Sequence, residues 1–127
     1  MSPAEFLLKA ENALLSARRD FAAGDLDGAA NRLYYAMFHA ARAALLRVGE
    51  PAQGKHGTII GRFGRRFCKD GPLAPEFGRA LNEAQELRIE GDYGAATADA
   101  AQVESYIETA ETFVVAVKRI VSGAAEA

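Results

Sequence analysis

The stretch NRLYYAMFHAARAALL, residues 31–46, is apolar almost all the way round, so as a helix it looks built for burial. Within it Arg32 and His39 stand seven residues apart. At 3.6 residues per turn, positions i and i+7 lie nearly in line, about two turns apart. A guanidinium and an imidazole therefore project from one side of a helix whose other sides want cover. Charged groups are rarely buried without a partner. The helix is expected either to line a cleft or to face a second protein.

On a wheel at ~100° per residue, Asn31, Arg32, Tyr35, His39 and Arg42 fall within an arc of roughly 100°. Leu33, Tyr34, Met37, Phe38, Ala41, Ala44 and Leu45 occupy most of the rest. Gly28, Ala36 and Ala43 flank the polar seam and would let something approach closely. Chemistry alone leaves two readings open. Arg32 and His39 could make structural hydrogen bonds to acids elsewhere, such as Glu83, Glu86 or Asp92. Alternatively they line a functional cleft suited to phosphodiesters. Imidazole titrates near neutrality and can act as general acid or base. Guanidinium holds a phosphate through paired, charge-assisted hydrogen bonds. With no metal site in the sequence, a 2′-hydroxyl is the natural nucleophile, so RNA fits better than DNA.

The flanking sequence reads as helices throughout, with no segment alternating well enough to be a strand. Ser2-Pro3-Ala4-Glu5 is a helix start with a capping box, followed by Phe6, Ala10, Ala13, Leu14, Ala17 and Phe21 at helical spacing. Gly24 ends this helix, and Asp25 or Asp27 caps the second, which runs to about Val48. A third helix is expected over Thr58–Lys69, broken by Asp70-Gly71-Pro72. A fourth begins at Pro75-Glu76 and gives way to a turn at Gly91-Asp92-Tyr93-Gly94. A fifth starts near Thr97 and carries a bundle seam from Val103 to Val121, with the residues from Ser122 onward expected to fray. The 127 residues suffice for one domain, an all-α antiparallel bundle of four to five helices.

Half the residues are apolar, a quarter are charged and the formal net charge is −2, so no global basic field announces nucleic acid. A local patch has to supply any such contact. Lys55, Arg62, Arg65, Arg66 and Lys69 lie in a run without an acid, and the last four share a helix face. That face could grip a phosphate backbone, dock an acidic partner, or be a solvated surface. His56, at the start of the same helix, reads as a satisfied loop or N-cap histidine, or as an anion contact. The single cysteine, Cys68, can form no internal disulfide and reads as apolar filler, which suits a reducing cytoplasm. The N-terminus lacks a secretory signal's layout, and no run approaches the ~18 apolar residues of a membrane span. Two histidines this far apart make no metal site. No cofactor is expected.

RLYYAMFHAARAALL resembles the signature helix of the HEPN family, an Arg and a His separated by four to six residues. The segments GDLDGAANR before it, and KHGTIIGRFGRRF and LRIEGDYG after it, resemble the small stand-alone UPF0332 branch over nearly the whole chain. The resemblance implies a helical bundle that dimerises with its signature helices facing one another, and a cleft shared by both copies of Arg32 and His39. It implies a metal-independent endoribonuclease, often the toxin of a toxin–antitoxin pair whose antitoxin is a minimal nucleotidyltransferase. Arg32 and His39 would then be catalytic, with Asn31, Tyr35, Arg42, Arg62, Arg65 and Arg66 binding or orienting RNA. Active members often carry a polar residue directly after the Arg; here Leu33 holds that place and Asn31 precedes the Arg. In some pairs the transferase modifies a tyrosine near the signature, which makes Tyr34 and Tyr35 candidates. Other members are binding modules without catalysis, and that is the alternative function. The resemblance also places Arg88 with Asp92 among the group's recurrent features, read here as a structural bond across the turn between the fourth and fifth helices.

Overall fold

A computed structural model describes residues 1–94 and 98–123. It contains five helices: α1 (Pro3–Ala22), α2 (Leu26–Arg47), α3 (His56–Phe63), α4 (Pro75–Tyr93) and α5 (Ala100–Val121). A π-helical stretch, Gly64–Lys69, continues α3. Among the described residues there is no strand. The all-α bundle is the architecture expected from the sequence.

The caps follow the local chemistry. The Ser2 hydroxyl accepts from the Glu5 N–H at 3.1 Å, and the Glu5 carboxylate accepts from the Ser2 N–H at 3.2 Å. The Asp25 carboxylate caps α2 through the Gly28 N–H at 2.9 Å, so Asp25 rather than Asp27 takes that role. Gly24, at φ +83°, supplies the left-handed residue that turns the chain between α1 and α2.

Three boundaries differ from expectation. α3 begins two residues early, at His56, and from Gly64 the helix widens. Widening brings residues five apart into line, so Phe63, Phe67 and Cys68 all point inward and are buried. α4 does not stop at Gly91 but continues to Tyr93. The glycine is there for closeness: a Cβ on Gly91 would sit 3.2 Å from Asp27 Oδ1. That same Asp27 oxygen accepts from the Ala98 N–H at 3.2 Å and so ties the start of α2 to the lead-in of α5. α5 begins at Ala100 with Asp99 as its cap; the expected start at Thr97 lies outside the described residues, as does most of the tail expected to fray.

α2 is the axis of the fold and packs against α1, α3, α4 and α5. Ala10, Ala13 and Ala17 of α1 are buried, as are Ala29, Ala36, Ala40 and Ala43 of α2. Small side chains let helix axes come close. Ala36 and Ala43, which looked open to an approaching partner, are fully buried within this chain. α5 completes the core with Val103, Ile107, Phe113, Val117 and Ile120. The Phe113 ring lies 5.2 Å from Phe63 and 6.0 Å from Phe77, which joins α5 to α3 and α4.

Candidate active site

Between Ala29 and Leu45 every residue is buried except five: Asn31, Arg32, Tyr35, His39 and Arg42. These are the seam residues of the wheel. Four neighbouring elements cover α2 and leave one line uncovered, and that line carries its polar groups.

Arg32 and His39 open onto one groove of about 260 Å³, whose other wall is α1 through Lys9, Asn12, Ala13 and Ser16. Lys9, Asn12 and Ser16 are three and four residues apart and so share a face. The sequence reading missed this wall, although that polar spacing was visible. Neither Arg32 nor His39 pairs with a carboxylate among the described residues. Arg32 instead donates from Nε and Nη2 to Asn31 Oδ1, at 3.0 and 2.9 Å, and its guanidinium lies 5.1 Å from the Tyr35 ring. Asp92 is the acid that reaches the seam, and it does so indirectly: its Oδ2 accepts from Asn31 Nδ2 at 3.3 Å and pairs with Arg88 at 3.4 Å. Glu83 is engaged elsewhere, accepting from the Tyr106 hydroxyl at 2.6 Å.

The His39 ring sits between Phe6 (6.3 Å) and Tyr35 (5.8 Å). Its Nδ1 is buried and has no hydrogen-bond partner among the described residues. Burial pushes its pKa down to about 4, helped by the positive charges of Arg42, Lys9 and Arg32. The imidazole is therefore neutral at pH 7 and free to accept a proton. The same shift has a consequence for stability. Above about pH 6.5 folded and unfolded chains both carry a neutral His39, and the shift has no effect. As pH falls from about 6.5 towards about 4, the unfolded chain takes up the proton and the folded one does not, so the fold loses stability across that window. The melting temperature of His39→Gln should therefore fall less between pH 7 and pH 4.5 than that of the wild type. Equal falls in the two proteins would contradict this placement of the imidazole.

The remaining candidates divide. Tyr35 is half-buried beneath Arg32 and Arg88, with the guanidinium carbons 5.1 and 5.7 Å from its ring. Tyr34 is fully buried, and its hydroxyl lies 2.7 Å from His56 Nδ1. His56 is thus the satisfied histidine expected, at the first residue of α3. Arg42 donates from Nε to Ala52 O at 2.9 Å and covers Phe6 at 4.3 Å. Arg62 donates to Pro51 O at 2.9 Å, and Arg66 pairs with Glu50 at 3.5 Å. These three fasten residues 50–52. Arg65 and Lys69 are exposed. None of Arg62, Arg65 and Arg66 lines the groove. Arg88 does not bridge α4 to α5 as expected: its bond to Asp92 stays within α4, and its guanidinium covers Tyr34 at 5.1 Å, so it fixes α4 against α2.

A larger cleft, about 540 Å³, lies between Pro72–Phe77 and α5. Its lining offers one charged group, Arg119, and no imidazole or carboxylate. Among the described residues no three of His, Cys, Asp and Glu gather as metal ligands do, and no helix is long and apolar enough to cross a membrane.

A compact helical bundle whose central helix bares an arginine and a histidine with six residues between them is a recognisable class. The sequence profile of the HEPN domain matches residues 4–120, and the chain belongs to the HEPN family. Its relatives agree. It is 36% identical over 104 residues to a UPF0332 protein of Gloeobacter violaceus, covering 82% of each chain. It is 35% identical to a UPF0332 protein of Thermotoga maritima, over 76% of this chain and 73% of that one. It is also 35% identical to a Methanocaldococcus jannaschii protein named "Putative toxin MJ0605", over 69% of this chain and 65% of that one.

Proposed function

We propose that this protein is a metal-independent RNA endonuclease that works as a dimer with its two α2 seams facing each other. We further assign it the toxin's part in a toxin–antitoxin pair whose antitoxin is a nucleotidyltransferase. The observation that carries the reading is the single uncovered line on α2, where Arg32 and His39 share one groove. The toxin assignment draws on the name of the Methanocaldococcus relative. The dimer draws on α1: Leu8 and Leu15 are 59% and 52% exposed, and both neighbour Asn12 at the groove's edge. Large apolar side chains beside a polar groove suit a second protein surface.

The chemistry needs one base and one anion holder. His39 takes the proton of a 2′-hydroxyl; the 2′-oxygen bonds to phosphorus, and the bond to the 5′-oxygen breaks. The departing oxygen takes a proton from solvent through the open groove, and His39 later returns its own to solvent. Arg32 stabilises the charge that gathers on the phosphoryl oxygens. The products carry a 2′,3′-cyclic phosphate and a 5′-hydroxyl.

Incubation of the purified protein with single-stranded RNA in excess chelator tests this. Cleavage leaving 5′-hydroxyl ends is expected, with loss of cutting in Arg32→Ala. RNA left intact throughout pH 5 to 9 would end the nuclease proposal. If such a protein still dimerises and binds a nucleotidyltransferase, it is a binding module instead.

A further inference from the structure

The Tyr34–His56 pair, beside the seam, is the strongest feature that the reaction above leaves unused. Tyr34 is fully buried, and burial pushes its phenol further above neutrality, so the hydroxyl keeps its proton. A phenol O–H at 2.7 Å from an imidazole nitrogen donates to it. His56 Nδ1 is then the acceptor, and the ring proton sits on Nε2, an assignment made from the hydrogen-bond network. Nε2 has no hydrogen-bond partner among the described residues, and His56 is half-exposed. The ring cannot swing freely: it stacks on Phe38 at 4.4 Å and on Tyr34 at 5.7 Å.

His56 does not line the groove itself but is linked to it through Tyr35, whose ring both imidazoles meet. The His56 ring meets the Tyr35 ring edge-on at 5.8 Å, and the His39 ring lies 5.8 Å from that same Tyr35 ring. The Arg32 and Arg88 guanidiniums approach it as well. Two imidazoles and two guanidiniums therefore surround one half-buried aromatic ring. The nearby carboxylate, Asp92, is engaged by Asn31 and Arg88. A clamped N–H donor in such company suits an anion.

We propose that His56 is a second substrate-contacting residue of this site, a fixed N–H donor to a phosphoryl oxygen, with the buried Tyr34 hydroxyl as its positioning group. The proposal rests on the nuclease reading and deepens it. No proton is transferred by His56, because losing the Nε2 proton from a neutral ring would leave an imidazolate. Its part is to stabilise charge, as a neutral imidazole can.

Two variants separate this role from others. His56→Asn keeps a polar atom near the Nδ1 position for Tyr34 but removes the outer donor. Its kcat/KM on RNA is expected to fall ~10²-fold, measured at a temperature where the variant is fully folded by circular dichroism. His56→Gln restores an N–H near the Nε2 position and should recover about tenfold of that loss. Wild-type rates in both variants, or equal inactivity in both, would overturn the proposal. A readout independent of cleavage is ¹⁵N NMR of the imidazoles during titration with a short oligodeoxythymidylate, which lacks the 2′-hydroxyl. The His56 Nε2 resonance is expected to move while Nδ1 stays unprotonated. A His56 signal that stays fixed while that of His39 moves would also overturn it. Should the wild type leave RNA uncut, the nuclease reading fails and the titration still decides the phosphate contact.

Discussion

His39→Ala should lower the RNA cleavage rate by ~10² to 10⁴-fold, the range over which a positioned proton acceptor accelerates such reactions. The variant should keep its fold, because His39 is half-exposed and makes no hydrogen bond whose loss would orphan a partner. The pH profile is the sharper part of the prediction. A general base works only when unprotonated, so activity falls as pH drops through its pKa. In the free protein that value is about 4, and kcat/KM should stay level through neutrality and fall only near pH 4. A bound phosphodiester brings negative charge beside the imidazole and favours its protonated form. The acid limb of kcat should therefore sit at higher pH than that of kcat/KM. An alkaline limb near neutrality would mean that a second titrating group supplies a proton to the leaving oxygen, and the step drawn from solvent would be wrong.

The second large effect concerns the core. Phe113→Ala should cost about 3–5 kcal/mol of stability by chemical denaturation. Phe113 is fully buried, and its ring lies against both Phe63 and Phe77, so truncation opens a cavity where three elements meet. Domains of this size hold roughly 5–15 kcal/mol in all, so the variant should be close to unfolding at 37 °C. Phe113→Leu leaves a smaller void and should cost less. A loss below about 1 kcal/mol in Phe113→Ala would show that the neighbouring rings collapse into the space.

The seam on α2 was legible because it depends on helical geometry alone. Once residues 31–46 are helical, the angle between Arg32 and His39 follows, and so does the enclosure of Leu33, Tyr34 and Met37. The capping box at Ser2 and Glu5 is equally local. The groove's second wall was not legible in the same way. Lys9, Asn12 and Ser16 have a periodic spacing, but which helix they face depends on packing against a separate element. The same holds for Arg42, Arg62 and Arg66. Sequence offers three cations near an aromatic helix, and the fold uses them to hold carbonyl oxygens and a carboxylate of residues 50–52. Gly91 misled for another reason. A glycine before Asp-Tyr-Gly suggests a turn, while in the fold its missing side chain makes room for Asp27. His56 is engaged at Nδ1 as a satisfied histidine would be, yet its closeness to Tyr35 is a tertiary fact that no local pattern reveals.

The enclosure of α2 bears on how the chain is made. During synthesis α1 and α2 emerge together, but the flank of α2 that α5 will cover stays bare until some seventy further residues have been added. A nascent chain therefore carries Arg32 and His39 on a helix without its full supports. If cutting RNA demands a rigid groove, the ribosome that makes this protein is spared until α5 has emerged and docked.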